Sequence, residues 1–186
     1  MTKKVLIGLT LLTLLSNLSA DIKPMIGIGF DAGGDELAGA TFTNGDSQTV
    51  TAGAGLALEG GVAIQSGKLG TQVLVGYKSD TIDAKNGDLK MSRIYVNAIE
   101  SYNFGKMSVG AGITYHITPE FSSSGEASNV GKADFDSALG GVLQSSYNFN
   151  PHSSVGLRAT AIKYDVKNSS ETLDASVVGL YYFHTF

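Results

Sequence analysis

The sequence predicts an all-β fold, an eight-stranded antiparallel up-and-down transmembrane β-barrel, from three observations. Apolar residues recur at every second position after Asp21, the positions between them hold mostly glycine, hydroxyls and amides, and the connections alternate between short and long. Period two is the strand repeat; a helix would place apolar residues at every third or fourth position. A soluble sandwich or barrel turns its apolar face inward and gives water a face rich in Lys, Glu and Asp. Here only 16% of residues are charged and 24 of 186 are glycine, against a usual charged share of ~25%. The inverse arrangement fits, with the apolar face toward lipid and the small polar face lining a narrow lumen. Within hydrocarbon no water can bond a free backbone group, so strands cross only as a closed barrel.

The elements follow in chain order. Residues 1–20 read as a secretory signal peptide: Lys3 and Lys4, an apolar run from Val5 to Leu15, and a short polar stretch ending on Ala20. The run of 11 residues is too short to span a bilayer as a helix, which takes roughly 20. Cleavage after Ala20 leaves residues 21–186 as one barrel domain, with 11 basic and 17 acidic side chains because Lys3 and Lys4 leave with the peptide. The first strand carries Ile26, Ile28 and Phe30 opposite Gly27, Gly29 and Asp31. The second carries Leu56, Leu58, Val62 and Ile64 opposite Gly55, Ala57, Glu59 and Gly61. The third has Val73, Val75 and Tyr77 opposite Gly70, Gln72 and Gly76, and the fourth has Ile94, Val96, Ala98, Tyr102 and Phe104.

The fifth strand alternates without a break from Met107 through Val109, Ala111, Ile113 and Tyr115 to Ile117. Leu139, Leu143, Tyr147 and Phe149 mark the sixth, opposite Gly140, Gln144 and Ser146. Val155, Leu157, Ala159 and Ala161 mark the seventh, opposite Gly156, Arg158 and Thr160, and Val178, Leu180, Tyr182 and Phe186 the eighth. Eight strands with about 10 residues each in the membrane need roughly 80 residues plus connections, which this length supplies. Short connections fall near Ser66-Gly67-Lys68, Gly105-Lys106 and Asn150-Pro151-His152. Long ones run from Gly33 to Thr49, Thr81 to Asp88, Pro119 to Lys132 and Val166 to Thr172, and read as solvated surface loops, with an Asn-Gly hairpin tip at Asn86-Gly87.

Several classes are excluded. The absence of cysteine removes disulfides, thiolate metal sites and cysteine nucleophiles. A net charge of -4 without a basic cluster leaves nothing to neutralise nucleic-acid phosphates. Gly27-Ile28-Gly29 and the stretch Gly53 to Gly61 lack the strand-to-helix setting of a phosphate loop, and no run has the spacing of a calcium loop. No catalytic, cofactor-binding or metal-binding set is expected.

The last strand sets Val178, Leu180, Tyr182, His184 and Phe186 at every second place and ends on an aromatic. This resembles the closing strand of bacterial outer-membrane barrels, where it forms the signal read by the barrel-assembly machinery; His184 stands where an aromatic is commoner. Tyr102-Asn103-Phe104 and Tyr147-Asn148-Phe149, each just before a short turn, resemble the periplasmic aromatic girdle of such proteins. Together with the length, residues 21–186 resemble the small eight-stranded outer-membrane barrels of the OmpX or OmpA-transmembrane type. The resemblance implies a Gram-negative outer membrane, cell-surface loops, and membrane lipid, lipopolysaccharide and the assembly machinery as partners. It is architectural and implies no activity.

Candidate chemistry lies in the predicted lumen: Glu59, Lys78, Arg93, Arg158 and, toward the outer mouth, Asp31 and Asp136. An eight-stranded barrel is just wide enough for side chains to fill, so these charges are expected to plug it. Glu59 and Arg158 lie at similar heights above their turns and can meet across the lumen, as a structural salt bridge or as a conductance gate, or can remain unpaired. Strict alternation turns Glu100 toward lipid, so a bulge between Ala98 and Ser101 is expected to turn it inward, toward Arg158 or Lys78. Of the histidines, His116 reads as a hydrogen-bonded lumen residue, and His152 beside Ser153 and Ser154 sits in a turn on the periplasmic side. The acidic loop residues Asp35, Glu36, Asp46, Glu120 and Glu126 are either ordinary solvated charges or contacts for cations bridging lipopolysaccharide phosphates. The leading expectation is a plugged outer-membrane barrel with a structural or surface-interaction role through its loops. The alternatives are a soluble periplasmic barrel carrying an apolar ligand, a small pore, and a lipid A-modifying enzyme using His116.

Overall fold

A computed structural model describes residues 21–41, 47–84, 87–125 and 131–186; the expected signal peptide lies outside them. The described residues form thirteen strands: β1 (Asp21–Gly33), β2 (Glu36–Thr41), β3 (Ser47–Thr51), β4 (Gly55–Ser66), β5 (Leu69–Ala84), β6 (Gly87–Phe104), β7 (Met107–Ser123), β8 (Ala133–Asp134), β9 (Ala138–Asn150), β10 (Ser153–Ala161), β11 (Lys163–Asp165), β12 (Thr172–Asp174) and β13 (Val177–Thr185). Eight of them, β1, β4, β5, β6, β7, β9, β10 and β13, pair antiparallel with their neighbours in sequence. β1 pairs with β13 and closes the barrel. The other five belong to the long connections, β2 with β3, β11 with β12, and β8 against β7.

Two short turns depend on glycine. Gly67 and Gly105 have φ of 58° and 67°, the left-handed region that side chains with a Cβ rarely enter. All three short connections fall where the sequence puts them, at Gly67-Lys68, Gly105-Lys106 and Pro151-His152.

Side-chain direction decides between membrane and water. Val109, Ile113 and Leu180 are 52%, 48% and 61% exposed, whereas Arg158 and Thr160 on the opposite face are 2% and 7% exposed. The soluble barrel with an apolar ligand inside is therefore overturned: its apolar side chains face outward and its polar ones inward.

Above this belt the polarity reverses. Val50, Ile82, Leu89, Met91, Phe121, Phe135, Ile162 and Tyr164 point inward as one buried cluster, while Asp83, Lys90, Glu120 and Asp165 face out. That is the pattern of a water-soluble domain, so the strands rise beyond the apolar belt into a water-exposed cap. In β7 the reversal needs a change of phase. Ile94 pairs with Ile117 and Ser92 with Glu120, leaving Arg93 opposite both Thr118 and Pro119. Thr118 has a φ of 36°, and the extra residue brings Pro119 and Phe121 inside.

Two expectations change here. The connections near Thr81 and Pro119 are not wholly solvated loop: β5, β6 and β7 continue through them to Ala84, from Gly87 and to Ser123, because their alternation persists with inward-facing apolar residues. Asp136, expected in the lumen, is exposed. It follows Phe135, which takes the inward position in the cap core. The tip residues Lys85 and Asn86 lie outside the described residues, although Ala84 pairs with Gly87.

Candidate functional site

The lumen is built in layers of polar side chains. β4 carries Glu59 and β10 carries Arg158, with β1 and β13 between them in the sheet. Arg158 reaches across and donates from Nη1 to Glu59 Oε2 and from Nη2 to Glu59 Oε1, both at 2.9 Å. Its Nε donates to Gln144 Oε1 at 2.9 Å, and the Tyr95 hydroxyl donates to Glu59 Oε2 at 2.9 Å. The guanidinium lies 4.1 Å from the centroid of the Tyr181 ring. Two glycines make room for the aromatic rings. A Cβ on Gly29 would stand 2.3 Å from Tyr181, and one on Gly76 would stand 2.2 Å from Tyr95.

A second layer lies outward of the first. Lys78 forms an ion pair with Asp31, which also accepts from the Tyr181 hydroxyl at 2.7 Å. Arg93 is buried and, among the described residues, meets no acid: its Nη2 donates to the carbonyls of Gly53 and Ala54 in the first long connection. His116 Nδ1 bonds the Tyr164 hydroxyl, linking this layer to the cap core. Toward the short turns a polar cavity of about 540 Å³ opens, lined by Lys23, Gln65, Asn103, Ser108 and Ser146 among others. Gln144 donates to Gln72 at 3.1 Å above it.

Glu59 and Arg158 thus come together, Lys78 and Arg93 go to separate partners, and Glu100 does not enter the lumen. The expected bulge at Ala98 to Ser101 is absent: Ala98, Ile99, Glu100 and Ser101 pair in unbroken register with Ile113, Gly112, Ala111 and Gly110. Glu100 faces outward, and Thr71, directly opposite on β5, places Oγ1 2.8 and 2.9 Å from its two carboxylate oxygens. Regular pairing keeps every ladder hydrogen bond, and the position is one outward step from Tyr102 at the membrane edge, where a lipid-facing carboxylate costs little.

The aromatic residues form a band outside the barrel. Tyr102, Phe104, Tyr147 and Phe149 are 41%, 60%, 43% and 46% exposed, all near the short turns. Tyr77 and Tyr115, also exposed, lie at the opposite end of the apolar belt. On β13, Val178, Leu180 and Tyr182 face outward, and the Phe186 amide donates to the Pro24 carbonyl at 3.0 Å. Near the same edge Ser153 Oγ lies 3.2 Å from His184 Nδ1 and 3.1 Å from the Tyr182 hydroxyl. This pairing was hidden in sequence because β10 and β13 bring together residues 31 apart. His152 Nδ1 contacts the Thr185 carbonyl.

Among the described residues no group of three His, Asp or Glu could hold a metal. Asp35 and Glu36 make contacts within the cap, with the Asp174 amide and the Thr49 hydroxyl. Asp46 and Glu126 lie outside the described residues.

A closed eight-stranded barrel with an outward apolar belt and an inward polar face defines an integral outer-membrane β-barrel, and the outer membrane is its location. Among solved structures the chain is similar to Neisserial surface protein A, with a TM-score of 0.53 and 14% identity over 90% of this chain and 99% of that one. It is also similar to Ail, the attachment invasion locus protein of Yersinia pestis, solved with the heparin analogue sucrose octasulfate. There the TM-score is 0.50 and the identity 13%, over 91% of this chain and 100% of that one. At these identities the likeness is one of fold. No family model and no curated protein sequence matches the chain.

Proposed function

We propose that the protein is a plugged outer-membrane barrel that acts at the cell surface through its extracellular cap and has no catalytic role. The observation that supports this reading is the cap's own apolar core, in which Phe135, Tyr164, Met91 and Val50 are fully buried. Connections that served only to join strands need no such core; a packed one holds exposed side chains in a fixed arrangement that a partner can recognise. The ion-pair layers at Glu59–Arg158 and Asp31–Lys78 are read as the plug. We further propose removal of residues 1–20 after Ala20, recognition of Val178, Leu180, Tyr182 and Phe186 by the assembly machinery, and contact of the cap's rim with lipopolysaccharide.

Polyanion binding, as in the Ail complex with a heparin analogue, does not transfer. Residues 34–54, 79–92, 118–137 and 162–176 carry thirteen acidic against five basic side chains. A sulfated polymer meets repulsion there, and a neutral or basic partner fits. The folded barrel in planar bilayers is expected to show no stable conductance steps, and steps would overturn the plug. Phosphatidylcholine vesicles carrying the protein are expected to bind polylysine in a salt-sensitive way and not heparin. Heparin capture would overturn the charge argument.

A further inference from the structure

The outward wall between the two aromatic bands is apolar apart from a few small polar side chains and one carboxylate. Among the described residues Glu100 is the single ionisable group facing out between Tyr102 below and Tyr77 and Tyr115 above. Its neighbours on that face are Val73, Ala98, Tyr102, Ala111 and Ile113, through the pairings of β5, β6 and β7. A carboxylate has about four acceptor positions. Thr71 supplies one hydroxyl proton, and no further hydrogen bond or ion pair to Glu100 is formed among the described residues. At this edge of the membrane a further donor comes from water or from a lipid headgroup, and a headgroup amine offers three N–H donors at once.

We infer that Glu100 and Thr71 form a binding site for the primary ammonium of a phospholipid headgroup in the periplasmic leaflet. The chemistry is complementary: an ammonium carries three N–H donors, enough to reach both the carboxylate and the Thr71 oxygen. Lys68, three residues before Thr71, lies 5.9 Å from the centroid of the Tyr102 ring. It supplies a cation at the membrane edge for the phosphate of the same zwitterionic headgroup. A quaternary ammonium has no N–H to donate, and an anionic headgroup without an amine meets repulsion from Glu100. The site therefore selects phosphatidylethanolamine over phosphatidylcholine and phosphatidylglycerol. This goes beyond the surface role proposed above and rests on membrane residence alone.

The test uses the whole folded barrel in mixed bilayers of phosphatidylethanolamine, phosphatidylcholine and phosphatidylglycerol with identical acyl chains, at equal mole fractions. Lipids retained after gentle detergent extraction are counted by native mass spectrometry. The wild type is expected to retain phosphatidylethanolamine about threefold over each of the others, the range a partly exposed ion pair supports. Glu100→Gln is expected to level the three headgroups, and Thr71→Val to weaken the preference. Heat-modifiable gel mobility on the same samples shows that each variant is folded, which separates failure of the site from failure of the membrane reading. Should Glu100→Gln not fold, Thr71→Val decides the question. Equal retention by the wild type, a preference that survives Glu100→Gln, or a preference left undiminished by Thr71→Val overturns the inference.

Discussion

Replacing Arg158 by methionine keeps most of the side-chain length and removes the guanidinium. Both partners of the ion pair are essentially inaccessible, at 2% and 0% side-chain exposure. The variant loses two charge-assisted bonds to Glu59 and one to Gln144, each 2.9 Å long. Tyr95 still donates to the Glu59 carboxylate, but no cation balances it. Leaving one charge of a buried pair alone typically costs about 3–5 kcal/mol. With a urea slope near ~2 kcal/mol per molar, the unfolding midpoint of the reconstituted barrel falls by about 2 M. Heat-modifiable mobility after equilibration in urea with phospholipid vesicles reads that midpoint. The double variant Glu59→Leu, Arg158→Met removes both charges and is expected to regain at least half the loss, because an apolar pair of similar volume can substitute for a buried ion pair. A single variant within ~0.5 M of wild type, or a double variant whose losses simply add, would refute the claim that this pair ties the two walls together.

Three further outcomes follow from the polarity reversal and the cap. Leu58→Arg, on the lipid face, should destabilise the barrel by about 2–4 kcal/mol, whereas Thr81→Arg in the cap should stay within ~0.5 kcal/mol; equal effects in vesicle refolding would place the membrane edge wrongly. Phe135→Ala should cost the cap core about 3–5 kcal/mol and speed protease cleavage of the cap while the heat-modifiable shift persists; loss of both together would mean that cap and barrel are one cooperative unit. Hydrogen bonds from the Ser176 hydroxyl and then its amide hold the Asp174 carboxyl below its ordinary value of 3.8. A depressed value in the folded state makes this contact stabilising above the unfolded pKa and lost as pH falls through the folded one. The Ser176 amide resonance should therefore titrate with a midpoint below 3.8, and a midpoint at or above that value counts against the contact.

Much of the barrel was legible because alternation is a local property. Ile26, Ile28 and Phe30 share a face whatever the rest of the chain does, and Gly67 and Gly105 mark turns by their own backbone freedom. The cap was not legible for a related reason. Asp83 and Asp88 read as loop because they are charged, yet Ile82, Leu89 and Met91 around them keep period two with the apolar side inward. A local scan that takes apolar residues as lipid-facing throughout gives the wrong sense there. Glu100 misled in the opposite direction: its charge suggested a bulge, but the strand runs on in register and Thr71 on the next strand donates to the carboxylate where it stands.

Composition and period by themselves determined that this chain closes into a barrel with lipid outside and small polar groups within, since these depend on residues one and two positions apart. Which charge meets which was decided by the tertiary structure. Arg158 reaches Glu59 across 99 residues of sequence, and Lys78 takes Asp31 although Arg93 is its partner on the next strand. Those pairings depend on the registers accumulated around the closed sheet, where a slip of one residue turns every side chain of a strand to the other face.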